Sequence, residues 1–96
     1  MKEFYFVINE TASLKLLLQL IEYLKESHQI QIINIIDDFD EIFVDIKWKS
    51  YFLTLDYEAI EGISIYLTPE AVQLQNIDLL VLNNLAEELK GASNKM

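Results

Sequence analysis

The densest chemistry in this chain is Asp37-Asp38-Phe39-Asp40-Glu41, four carboxylates in five residues. Carboxylate oxygens suit hard divalent cations, which calcium loops hold with oxygens at alternate positions and a glycine at the sixth. A loop started at Asp38 places Asp40 third, but Ile42 stands fifth and Phe43 sixth. The calcium pattern fails. Acid–base catalysis by two carboxylates needs surroundings that push their pKa values apart, and acids in a surface turn lack such a pocket. Aspartate is common in turns because its side chain bonds the local backbone, so the plain account of this run is a solvated turn. Its other use is recognition: like charges repel one another, and a partner of opposite charge relieves that repulsion and speeds encounter.

His28 is the only histidine, and there is no cysteine. Zinc ribbons, thiol catalysis and disulfide frameworks are therefore excluded. With no second histidine and no triad partner nearby in sequence, His28 reads as a helix C-terminal residue favoured by the macrodipole. Gly62 and Gly91 are the only glycines, too few and too far apart for a phosphate-cradling loop. No cofactor or metal is expected, and the chain reads as a non-enzyme.

Sixteen acids face seven lysines and no arginine, a net charge of −9. Nucleic-acid binding rests on neutralising phosphates with Lys and Arg, and base reading favours the guanidinium fork. That class is set aside. Anionic membrane surfaces are disfavoured on the same ground, and any partner chosen by charge is basic. The longest apolar run, Leu14 to Leu24, is broken by Lys15, Gln19 and Glu22, and it is too short to span a bilayer. It does not resemble a signal peptide, since acids precede it and no small-residue cleavage site follows. A cytoplasmic location is the expectation.

The elements that must position these residues follow from periodicity. At 96 residues and 52% hydrophobic, the chain can build one core without staples. A single domain over residues 1–91 is expected, with a flexible tail over 92–96. Phe4 to Ile8 is apolar on both sides, the pattern of a central strand. Asn9, Thr11 and Ser13 offer helix-start chemistry. The helix from about Thr11 to His28 carries Lys15, Gln19, Glu22 and Glu26 on one narrow stripe, so its apolar remainder must meet both a sheet and a second helix. Ile30 to Ile36 is another apolar strand. The strand–helix–strand order predicts that the first two strands are parallel, adjacent or one strand apart.

From Ile42 the pattern alternates, then flips parity after Trp48. A two-residue turn at Lys49-Ser50 explains the flip and pairs Trp48 with Tyr51, Ile46 with Leu53, Val44 with Leu55 and Ile42 with Tyr57. Lys-Ser is not the Asn-Gly that so tight a turn prefers, so a longer loop competes. The segment from Glu58 to Gly62 is a turn that uses the freedom of glycine. Ile63 to Thr68 is a strand. Thr68-Pro69 could open a helix, but Asn76 as cap with Asp78 in the first turn places the main helix better, from about Ile77 to Lys90, with residues 69–75 as a link and Gly91 as the stop.

The expected fold is α+β, a two-layer sandwich in the order β-α-β-β-β-β-α. Its sheet is mixed but mostly antiparallel, with both helices on one face. The other face then shows Phe43, Asp45, Lys47, Phe52, Thr54 and Asp56. Joined to the acidic turn, this gives a partner-binding surface of Asp37, Asp38, Asp40, Glu41, Phe43, Asp45, Phe52 and Asp56. Two functions fit. One is recognition of a basic protein, as a toxin-neutralising immunity or antitoxin-type protein would do. The other is a homodimer or assembly subunit that pairs through the open sheet face.

Overall fold

The computed structural model describes residues 5–11, 13–68 and 79–96. Seven elements follow one another: β1 (Phe6–Asn9), α1 (Leu14–His28), β2 (Gln31–Asp38), β3 (Glu41–Trp48), β4 (Tyr51–Glu58), β5 (Gly62–Leu67) and α2 (Leu79–Asn94). This is the expected α+β order. The strands form one open sheet in the order β1-β5-β4-β3-β2.

Every neighbouring pair is antiparallel, so the sheet is not mixed. β1 and β2 run the same way, but three strands separate them. The reason lies in the turns. β2 to β5 are joined by short reversals that make a meander, so β1 must pair outside it, and it does so against β5. β1 is therefore an edge strand and not the central one expected. Its second apolar side is used differently: the Tyr5 ring stacks on Tyr66 of β5 at 5.9 Å.

The β3–β4 register is the one the parity flip predicts, with Trp48 opposite Tyr51, Ile46 opposite Leu53, Val44 opposite Leu55 and Ile42 opposite Tyr57. The tight turn is realised without glycine, Lys49 itself taking a φ of 57°. Gly62 has a φ of 103°, and a Cβ there would stand 2.1 Å from the Asn9 carbonyl oxygen. Here glycine is required twice over, by dihedral and by space.

Val44, Ile46, Leu53, Leu55, Ile63, Ile65 and Leu67 line one sheet face and share a single core with Leu17, Leu20 and Leu24 of α1 and Leu82, Leu85 and Leu89 of α2. Both helices therefore cover the same face. α1 is capped by Ser13, whose Oγ accepts from Leu16 N at 3.2 Å, and it ends where Gln29 turns left-handed at φ 53°. Its apolar girth is only partly used, since Leu14 and Leu18 stay exposed. α2 does not stop at Gly91 but runs on to Asn94. Buried Ser93 holds this extension, accepting from Asn9 Nδ2 at 3.3 Å and donating to the Lys90 carbonyl at 3.0 Å. The expected cap at Asn76 and first-turn Asp78, and the link over 69–75, lie outside the described residues.

Candidate functional site

The eight residues expected to form one surface are divided among three environments. Asp37 and Asp38 end β2, and Phe39-Asp40 is the two-residue turn into β3. All four are exposed; Phe39, at φ 53°, is 99% exposed. Glu41 stands directly opposite Asp38 on one side and Glu58 on the other. Three acids in one cross-strand row repel one another.

Phe43, Asp45 and Phe52 lie in the sheet facing away from the helices; Phe43 and Asp45 are half-buried and Phe52 is exposed, as expected. Thr54 Oγ1 donates to Asp45 Oδ1 at 2.7 Å. Lys47 Nζ stands 5.8 Å from the centre of the Phe52 ring. Asp56, expected on the open face, is 1% exposed, and Thr54, Ser64 and Tyr66 beside it are buried too. The Tyr66 hydroxyl donates to Asp56 Oδ2 at 3.2 Å. Burial first, and the Asp56 charge second, push the Tyr66 hydroxyl far above its ordinary pKa, so it stays protonated as a donor. The far face of β4 and β5 is not open. Glu41, Asp56 and Glu58 bring carboxylate oxygens within 4.8 Å of one another, a spacing that hard cations accept, but all three are already engaged in other interactions.

What is open is the edge of β2. Among the described residues this strand pairs only with β3, so one side of its backbone carries N–H and C=O groups with no strand beside them. A register shift between Ile32 and Asn34 makes Ile33 the extra residue of a bulge. Ile32 still packs on the core. Beyond it Ile33, Ile35 and Ile36 are exposed, Ile35 at 55% although it sits beside buried Val44. The helices cover β3 and leave most of β2 bare. No proline or lysine lies within β2 to blunt it. The opposite edge, β1, has only four residues, and α2 lies against it.

The edge also carries a charge gradient. Its turn end holds Asp37, Asp38, Asp40 and Glu41. Its other end holds Gln31 opposite Lys47, and here a shallow depression of about 330 Å³ is lined by His28, Gln29, Gln31, Lys47 and Lys49.

A second grouping joins the helices where sequence alone saw no partner for His28. Glu88 Oε2 accepts from the Tyr23 hydroxyl at 2.5 Å and lies 2.7 Å from His28 Nε2. The Tyr23 bond, then the His28 bond, hold the Glu88 carboxyl below its ordinary pKa, and the same carboxylate raises that of Tyr23. An ionised carboxylate only accepts, so His28 Nε2 carries the proton. The imidazole meets the Trp48 ring edge-on at 5.9 Å, and Lys49 Nζ stands 4.9 Å from the Trp48 ring centre. These residues border a cleft of about 220 Å³ with Val81, Asn84 and Leu85. Glu88 lies sixty positions from His28. No local spacing could announce the pair; the only hint was that α1 needed a second helix beside it.

No helix among the described residues is long and apolar enough to cross a membrane. Comparison with protein-family models, curated proteins and solved structures finds no match.

Proposed function

We propose that this chain is a non-enzymatic protein-recognition domain that accepts a strand of another polypeptide on the β2 edge, oriented by the acidic turn. The observation that carries the reading is the combination at β2 of an unpaired backbone edge with exposed Ile33, Ile35, Ile36 and Phe39. Long apolar edges invite strand addition, and proteins that do not use them cover or blunt them. Main-chain hydrogen bonds would supply affinity and the isoleucines would supply apolar contact. Asp37, Asp38 and Asp40 favour basic groups on the incoming chain. Neutralisation of a basic partner, as by an immunity or antitoxin-type protein, is the form of this reading that the net charge of −9 favours.

The His28–Glu88 pair, set in a cleft, is the observation that favours an enzyme instead. Against it, the pair spends its hydrogen bonds tying α1 to α2, and a carboxyl held ionised is a poor proton donor. We read it as a structural tie.

Photo-crosslinking in the native host tests the proposal. A benzophenone amino acid in place of Ile36 is expected to give covalent adducts with a polypeptide, whereas the same group in place of exposed Leu18, on α1, gives none. Equal yields at both positions, or none at either, would overturn the reading.

A further inference from the structure

We infer that the strand docking on β2 is β2 of a second copy, antiparallel and related by a two-fold axis through the middle of the edge. The inference rests on the reading that this edge accepts a strand, and it names the partner. The charge gradient carries it. Turned end for end, a second β2 places its Gln31 end beside Asp37 and Asp38 of the first. Lys47 follows one strand further in, two strand spacings (roughly 10 Å between backbones) from Asp38 of the first, with Lys49 in the adjoining turn. The axis repeats the match at the other end, so one surface is complementary to itself, as a two-fold contact requires. The demand for a basic partner is thus met locally by an acidic protein.

The same gradient selects against the hazardous alternative. Parallel in-register stacking sets Asp37, Asp38 and Asp40 on the same residues of the next chain, where like charges repel. Antiparallel pairing joins two five-stranded sheets into one of ten, whose outer edges are both the short β1 with α2 against it. The assembly closes at two copies. The net charge of −9 per copy opposes approach, and salt screens this repulsion together with the attraction between the two ends.

Charge exchange tests this with the full chain. Sedimentation velocity is expected to show a dimer for the unaltered protein. D37K/D38K sets lysine against lysine across the axis, and K47E/K49E sets acid against acid. Each alone is expected to raise the dimer dissociation constant by about tenfold or more. An equimolar mixture restores both attractions and is expected to recover the dimer. Dimerisation of both variants at the unaltered strength, or a mixture that stays monomeric, overturns the inference. Should either pair fail to fold by circular dichroism, I35K serves in its place, setting a lysine into the edge; it is expected to be a folded monomer. A dimer that survives I35K would overturn the edge reading itself. An unaltered protein that stays monomeric, yet crosslinks to another polypeptide from position 36, would overturn only the second copy.

Discussion

β5 and β2 are two apolar strands of one sheet with opposite fates. β5, Gly62–Leu67, has β1 and β4 on its two sides, and all six of its residues are buried. β2, Gln31–Asp38, carries four isoleucines, yet only Ile32 packs on the core. The difference is one of place. A strand inside the sheet has its backbone satisfied by neighbours, and Ile63, Ile65 and Leu67 of β5 are covered by the helices. An edge strand beyond the helices has neither. On the proposed function, the apolar residues in such a place serve contacts outside the folded monomer.

Truncation should separate the two strands most sharply. Ile65→Ala and Leu53→Ala each remove a fully buried side chain and are expected to cost roughly 2–5 kcal/mol in denaturant unfolding. Trp48→Ala belongs with them. Ile35→Ala should stay within about 0.5 kcal/mol in the monomer. Equal losses at Ile65 and Ile35 would erase the contrast. Next in size is Gly62→Ala at the start of β5, where both the dihedral and the Asn9 carbonyl resist a side chain. A loss on the order of 2 kcal/mol is expected, read the same way.

The acids divide along the same line. Asp56→Asn weakens the acceptor of a buried hydroxyl and should cost about 1–3 kcal/mol. Charge reversal in D38K/D40K should leave the unfolding midpoint nearly unchanged while weakening binding at the β2 edge, since those side chains are exposed. Loss of folding in D38K/D40K would mean that the turn belongs to the core side of the comparison.

These contrasts show what the chain order could and could not reveal. Alternation from Ile42 to Tyr57 predicted which residues of β3 and β4 share a face, because a two-residue side-chain period leaves little freedom once one face is buried; the register followed only from the two-residue turn at Lys49-Ser50, with which a longer loop competed. Gly62 was legible because few other residues tolerate its place. The edge position of β2 was not. Its isoleucines look like those of a buried strand, and strand order depends on where β1 can pair after the meander forms. The burial of Asp56 was hidden for a related reason, since parity tells which face a residue is on but not what lies over that face. The stop at Gly91 also misled: a glycine on an open helix side costs only about 1 kcal/mol, and the contacts of Ser93 lie beyond it.

The smallest effect concerns the tie between the helices. The carboxyl of Glu88 is depressed in the fold, so its contribution is present above the ordinary carboxylate range and lost as pH falls through the folded value. The hydroxyl of Tyr23 is raised, so its share is present below the ordinary tyrosine range and lost as pH climbs past it. Glu88 is exposed and Tyr23 half-buried, so solvent screens the pair. Glu88→Gln should therefore lower the thermal midpoint only slightly at neutral pH, and the difference from the unaltered protein should fade in acid. A difference that grows as pH falls would contradict this sign.

Amide hydrogen exchange along β2 tests the central claim most directly. With a strand docked on the edge, the outward-facing amides between Ile33 and Asp38 should exchange slowly in concentrated protein. They should lose that protection on dilution, while β5 stays protected throughout. Rapid exchange of those amides at every concentration would contradict a second β2 on that edge.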